Sequence, residues 1–388
     1  MLKPVDYEVR LDTIHRGFDG ERCWVHARGG ALPGAGQSGG PAVVVTLQKL
    51  LLSGSDIFYG LNSMRTDDMG QTWTSPEAQE GLSRWQEAGG VEACICDFTP
   101  KWHAETGKLL GVGHVARYVG DALAPEPRSR ETGYSVYDAQ AGTWSHGKLL
   151  QMPQEDKFFA AGAGSVQRVD LADGTILLPI YFKGASADHM GCSAVTVVRC
   201  AFDGDTLSYI EHGDEMTVPE PRGLGEPSLA FHGGRYYLTL RNDVQGYVTV
   251  GDDGLHFARP CPWLFDDGSE LGNYNTQQHW VTHGDGLFLV YTRRGADNDH
   301  VFRHRAPLFM AQVDTERLCV IRETERIIIP ERGARLGNFG STDVSEEETW
   351  VIDAEWMQPV GCEQYGSDNS VFAARIVWDE PNEDALKH

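Results

Sequence analysis

Several things are scarce in this chain, and each shortage excludes a class of protein. Only 8 of its 388 residues are cysteine, and their spacings never repeat as a paired Cys-x-x-Cys framework. A disulfide scaffold and a zinc-ribbon type of site are therefore excluded, and buried free thiols are the reading. No segment approaches the roughly 18 consecutive apolar residues of a membrane-crossing helix, so no membrane partner is expected. Basic residues are few: 33 Lys and Arg against 56 Asp and Glu give a formal net charge of −23. Phosphate neutralisation needs clustered cations, so the general surface is unsuited to nucleic acid, and an anionic partner must meet a local basic site. Dinucleotide and Walker-type loops are missing as well; Gly34-Ala-Gly-Gln-Ser-Gly-Gly40 reads as a flexible loop. No His-Glu-x-x-His or clustered Cys/His pattern occurs, so no cofactor and no metal are expected, although loop carboxylates can take Ca²⁺ without a readable signature. The segment Met1-Leu-Lys-Pro-Val-Asp-Tyr-Glu-Val-Arg10 has no apolar h-region. The chain as given is accordingly expected to be cytoplasmic, or periplasmic or secreted if a signal was removed before the numbering begins.

What the chain has is glycine, 45 residues of it, and 41% hydrophobic residues arranged in short alternating runs such as Tyr236-Tyr-Leu-Thr-Leu240 and Leu287-Phe-Leu-Val-Tyr291. Strands joined by tight turns follow from that pattern. One unit recurs: an apolar strand, a polar turn and a second apolar strand. Its turns are Gln48-Lys49, Glu105-Thr-Gly107, Ala172-Asp-Gly174, His232-Gly-Gly234, His283-Gly-Asp-Gly286 and Ser345-Glu-Glu-Glu348, spaced 52 to 67 residues apart. Repeats of this size fit β-propeller blades with long loops at one end. The expected fold is all-β, a six-bladed propeller occupying residues 1–388 as one domain. The run Ser370-Val-Phe-Ala-Ala-Arg-Ile-Val-Trp378 should pair with Tyr7-Glu-Val-Arg-Leu11 to close the ring, because an open ring would leave unpaired edges.

Aligning the blades on their turns brings ionisable residues into register. Seven positions beyond Gly107, Gly174, Gly234, Gly286 and Glu348 stand His114, Tyr181, Arg241, Arg293 and Glu355, and seven beyond Lys49 stands Asp56. An antiparallel hairpin returns its second strand to the level where the first began, so all six should crown one end of the ring.

Thr66-Asp67-Asp68-Met69-Gly70-Gln71-Thr72-Trp73 fits the Asp-box pattern Ser/Thr-x-Asp-x-Gly-x-Thr-Trp, a hairpin-turn motif of the sialidase (neuraminidase) superfamily, which this chain resembles over essentially its whole length. Weaker copies are Val250-Gly-Asp252-Asp-Gly254-Leu-His-Phe257 and Ser135-Val-Tyr-Asp138 running to Gly142-Thr-Trp144. The motif marks the fold, not the chemistry, and noncatalytic propellers carry it too. The resemblance implies further roles. Glu226, opening the strand that leads to Arg241, is similar to the activating glutamate and second carboxylate-binding arginine. Arg28 in Trp24-Val-His-Ala-Arg28 resembles the first arginine, and Asp56 stands where the family keeps its acid/base aspartate. Arg303 and Arg305 resemble the third-arginine strand, and Glu355 the glutamate that orients the first arginine.

One departure from the family pattern bears on mechanism. In Gly337-Asn-Phe339-Gly-Ser-Thr-Asp343 the nucleophilic tyrosine is replaced by Phe339, so another phenol such as Tyr181 or Tyr365 must serve, or water attacks with inversion, or the reaction differs. Histidines supply the different reaction: His26, His114, His279, His300 and His304 lie in segments expected near the crown. A histidine-centred crown resembles propeller enzymes that release rhamnose next to a uronic acid or cleave uronate polymers by elimination, with His as base and Arg neutralising the carboxylate. The expected function is an exo-glycosidase acting on a terminal acidic, sialic-acid-like sugar of a glycan. The alternatives are such a lyase or rhamnosidase and a noncatalytic carbohydrate-binding propeller.

Overall fold

The computed structural model describes residues 4–54, 56–186 and 192–387, so Met1 to Lys3 of the N-terminal segment read above lie outside the described residues. Six antiparallel sheets follow one another along the chain. The inner strands of blades 1 to 6 begin at Arg22–Leu32, Glu92–His103, Ala160–Gly162, Gly225–His232, His279–His283 and Gly340–Asp343. Each is followed by a second strand that returns beside it, as Lys108–Tyr118 does in blade 2 and Ile176–Lys183 in blade 3. Closure comes from the two ends of the chain. Tyr7–His15 pairs antiparallel with Val371–Trp378, Tyr7 opposite Trp378 and Leu11 opposite Ala374, so the N-terminal strand becomes the outer strand of blade 6. The all-β, six-bladed propeller expected from the turns is the fold observed.

The alternation of apolar residues explains how the blades stack. A strand's two faces each meet a neighbouring blade, so both faces of the middle strands are apolar. Val43 and Val45 of blade 1 pack with Trp350 and Ile352 of blade 6, while Val44 points the other way, toward Ile95 and Leu109 of blade 2. Such a core occupies every interface round the ring: Leu178 with Val112, Leu177 with Leu238, Leu289 with Tyr237 and Val290 with Val351 complete the circuit. Burying each of these side chains is worth about 1.5–3 kcal/mol.

Five of the six turns lie where the repeat put them, between the first and second strands. Gln48-Lys49 does not: both residues sit inside the strand Ala42–Leu51, and the turn of that hairpin lies between Leu32 and Ala42. Gln48 looks like a turn residue but is fully buried, its amide nitrogen donating to the Tyr59 and Ile95 carbonyls and tying blade 1 to blade 2. Asp56 consequently stands in the loop after that strand, at the same end of the ring as His114.

In the Thr66–Trp73 turn, Asp68 accepts from the Thr72 amide (2.9 Å) and hydroxyl (2.6 Å). Gly70 has φ +81° and its absent Cβ would stand 3.2 Å from Trp350, so a side chain there is disfavoured twice over. In the 250–257 segment the turn amides bond Asp253, while Asp252 pairs with Arg235. Seven of the eight thiols are buried or half-buried, and Cys192 is exposed.

Candidate active site

The inner strands are interrupted at one level. Register breaks fall between Val25 and Arg28 in blade 1, Cys96 and Thr99 in blade 2, and Gly225 and Ser228 in blade 4. The residue inside each break has a positive φ: His26 (+53°), Asp97 (+54°) and Glu226 (+39°), with Ser165 of blade 3 at +56°. Non-glycine residues in this region cost on the order of 1–3 kcal/mol, and such strain gathers where a side chain is re-aimed for use. Here the bulges turn His26, Asp97 and Glu226 toward the ring axis, where all three line a cavity of about 290 Å³.

Asp97 is the hub of its floor. Its Oδ1 accepts from the Ser165 hydroxyl at 2.5 Å and lies 3.3 Å from both His26 Nε2 and Arg28 Nη2, while Oδ2 is 3.8 Å from His114 Nδ1. Burial alone would raise its carboxyl; the neighbouring His26, His114 and Arg28 hold it well below the usual carboxylate range. His114 sits between three groups. Its Nε2 is 3.2 Å from Cys96 Sγ, and its Nδ1 is 3.2 Å from the Tyr181 hydroxyl. Burial lowers its pKa to about 3 against the opposing pull of Asp97, so the imidazole is neutral near pH 7. Burial raises the Tyr181 pKa, with the Arg130 guanidinium, 4.7 Å over its ring, opposing. A close approach makes this arrangement possible: a Cβ on Gly164 would fall 1.8 Å from His114 Nδ1.

Much of the remaining lining is cationic. Arg241 is bonded to Glu226 and, at 3.2 Å, to Asp243; beside it stand Arg303, Arg305 and Arg335. No carboxylate lies within 4.0 Å of these last three among the described residues. Burial and the charges of their neighbours lower all three pKa values, that of Arg335 to about 10. In all, nine Lys and Arg and four carboxylates line the cavity, in a chain of net charge −23. Cys96, Asp97 and His114 form the one group of three potential metal donors within 4.8 Å of one another among the described residues. No sequence spacing signalled it.

Of the residues expected at the site, Asp56, His26, His114, Tyr181, Glu226, Arg241, Arg303 and Arg305 line the cavity. Four others do not. Arg28 is completely buried beneath the floor, its Nε donating to the Phe339 carbonyl and its Nη2 to Ser165, Asp97 and Gln277. It holds blades together instead of offering a free fork to a substrate. Glu355 does not touch it: that carboxylate accepts from the Asp368 and Ser370 amides and pairs with Arg332. Arg293 leaves the common register because its strand ends at Tyr291; it is bonded to Glu325 and lies 4.8 Å over the Phe309 ring. His279 is buried below the floor, 2.6 Å from the Ser228 hydroxyl and stacked edge-on against Phe339.

Phe339 is itself fully buried, and it is Asn338 that reaches the cavity. Tyr365 and His300 pack on each other, with Tyr365 exposed, and neither lines the cavity. His304 is bonded to Tyr274. Tyr181 is thus the one phenol lining the cavity among the described residues. The residues that sequence reasoning missed are Asp97, Ser165, Arg130 and Arg335. Asp97 did leave a signal, a lone acid inside the apolar run Cys94-Ile-Cys-Asp-Phe98, since Asp is disfavoured in strand interiors.

No protein-family model matches the chain, and no curated protein matches it in sequence. Solved structures do match. The Hadza microbial sialidase Hz136 superposes with a TM-score of 0.60 at 11% identity over 92% of this chain and 66% of that one. Trypanosoma rangeli sialidase in complex with sialic acid gives 0.60 at 11% identity, over 97% and 59%. A mutant of NanB sialidase from Streptococcus pneumoniae gives 0.57 at 11% identity, over 94% and 69%. The chain spans 55 to 66% of the length of the first structures it matches. Six blades, end-to-end closure and these superpositions lead to one conclusion: the chain has the β-propeller fold of the sialidases.

Proposed function

We propose that the protein is an exo-glycosidase that releases a terminal acidic sugar, sialic-acid-like, from glycans, with Tyr181 as nucleophile. The observation that carries this reading is the meeting in one cavity of a phenol bonded to a neutral imidazole and four arginines, Arg241, Arg303, Arg305 and Arg335. A guanidinium cluster matches a carboxylate bidentately and lowers the charge that a nucleophile must approach. A phenol is neutral until its proton leaves, so it nears an anionic sugar without the repulsion a carboxylate would meet. In the first step the Tyr181 oxygen bonds to the anomeric carbon, its proton passes to His114 Nδ1, and Asp56 protonates the departing glycosidic oxygen. In the second step Asp56 takes a proton from water, the water oxygen displaces the phenolate, and the proton on His114 returns to Tyr181. Asp97 positions His114, and Glu226 holds Arg241 in place. The superposition on a sialidase with sialic acid bound supports the same substrate class.

The Tyr181–His114 contact equally supports a second reading, elimination beside a uronate, in which the imidazole removes the proton next to the carboxylate. Incubating the protein with a panel of acidic-sugar glycosides and analysing the products separates these readings. A free acidic sugar supports hydrolysis, a double bond absorbing in the near ultraviolet supports elimination, and binding without turnover supports a lectin-like propeller.

A further inference from the structure

A neutral imidazole can accept the Tyr181 proton only on a nitrogen that carries none, and which nitrogen that is depends on what the other one touches. Cys96 and His114 are direct cross-strand partners in the hairpin of blade 2, so their side chains stand side by side on one face of the sheet. Cys96 is fully buried. Its sulfur lies 3.2 Å from His114 Nε2 and 3.6 Å from the His114 backbone carbonyl. On the ring's other side, Nδ1 is 3.2 Å from the Tyr181 hydroxyl. The Asp97 carboxylate, 3.8 Å from Nδ1, is too far to hold a proton there by a hydrogen bond.

Turning the ring over would bring Cε1 against the sulfur and Cδ2 against the phenol, so the two contacts together fix its orientation. The places of three protons then follow by counting. With the ring proton on Nε2, the ring donates to Sγ, the thiol donates to the His114 carbonyl and the phenol donates to Nδ1, so every donor has an acceptor. With the ring proton on Nδ1, the thiol must turn from the carbonyl to Nε2, and the phenolic proton loses its one hydrogen-bond partner among the described residues. Sulfur is a weak acceptor, but it is the one partner of Nε2 among the described residues.

We infer that Cys96 is a positioning residue that keeps the proton of neutral His114 on Nε2 and so leaves Nδ1 bare to receive the proton of Tyr181. This rests on the reading of Tyr181 as nucleophile and His114 as its base. Cys96 does not line the cavity and acts only through the tautomer. When Nδ1 takes the phenolic proton, the ring becomes a cation whose Nε2–H still points at sulfur, and the nearby Asp97 carboxylate favours that charge. Cys96 keeps its own proton throughout.

Nitrogen-15 NMR of histidine-labelled protein tests this without any turnover. Long-range proton–nitrogen spectra tell a protonated ring nitrogen from a bare one, and the signals of His114 are those missing from His114→Gln. Near pH 7 the unaltered protein should show Nε2 protonated and Nδ1 bare. Cys96→Val, which removes the acceptor at similar volume, should show a mixture of tautomers or Nδ1–H. Cys96→Ser can still accept from Nε2–H and donate to the carbonyl, so it should return the pattern of the unaltered protein. In kinetics on an acidic-sugar glycoside, Cys96→Val should lower kcat by about 10²-fold at nearly constant KM, and Cys96→Ser should recover about tenfold or more of that loss. Nδ1–H in the unaltered protein overturns the inference, whether or not Cys96→Val folds. So does an unchanged tautomer in Cys96→Val, or an unchanged kcat once its tautomer has shifted; each leaves the glycosidase reading standing. The expected tautomers with no hydrolysis of any acidic-sugar glycoside overturn the glycosidase reading and leave the proton on Nε2.

Discussion

The hydroxyl of Tyr181 lies 3.2 Å from Nδ1 of His114, joining blade 3 to blade 2 across the floor of the crown cavity. Tyr181→Phe keeps the ring and its packing under Arg130 but removes the attacking oxygen. Activity on an acidic-sugar glycoside should drop by at least about 10³-fold with an unchanged melting temperature. Steady-state kinetics beside a thermal melt reads both, and loss of less than about tenfold would show that the phenol is not the nucleophile.

The position of His114 depends on Gly164, whose missing Cβ leaves the room the imidazole fills. Gly164→Ala should displace the ring, lower kcat by about 10²-fold or more and change KM little, because the nearest atoms the added Cβ would meet all belong to His114. A variant in which KM rises and kcat is kept would contradict this.

His114 also makes stability depend on pH. Its folded pKa, about 3, lies below the ordinary value of 6.5, so between those limits the unfolded chain binds more protons and stability rises with pH. The contribution is fully present above 6.5 and is lost as pH falls towards 3. Urea midpoints measured from pH 7 to pH 4 should decline less in His114→Gln than in the unaltered protein. Using the difference between the two curves cancels opposing groups such as Asp353, which burial raises to about 7.

Much of this architecture was legible in the sequence. Four turns with glycine, such as Asp173-Gly174, the polar turn Ser345-Glu-Glu-Glu348 and the alternating strands beside them could be read directly as five hairpins, and so could the ring closure. Gln48-Lys49 misled because a polar residue can be buried when carbonyls of its own blade and of the neighbouring one, here Tyr59 and Ile95, accept from its amide. At the site, the seven-residue offset found His114, Tyr181 and Arg241 because their strands extend to the crown. It failed at Arg293 and Glu355, which lie beyond strands that stop at Tyr291 and Ala354. Asp97 and Glu226 face the axis through bulges, and Arg130 and Arg335 come from loops, and neither feature has a period to read.

Arg28 shows the same limit from the other side. Its Nε and Nη2 are bonded to blades 2, 3, 5 and 6, so Arg28→Met should cost about 3 kcal/mol or more of stability by leaving buried acceptors unpaired. A denaturant midpoint measures that. Normal stability with a large rise in KM would return Arg28 to the substrate clamp.

Phe339 belongs to the core. Phe339→Tyr places a hydroxyl against His279 in a fully buried site and should cost about 1–3 kcal/mol unless it finds a partner, without altering the stereochemistry of the reaction. A change in the first-formed anomer would place residue 339 at the reacting centre.

Proton NMR of the product at the moment of its release tests the central claim most directly. With Tyr181 as nucleophile, two displacements at one carbon return the starting configuration, so the first acidic sugar to appear should be the retained anomer, relaxing afterwards to the equilibrium mixture. An inverted first anomer, or a vinylic proton signal in place of a free sugar, would contradict the account.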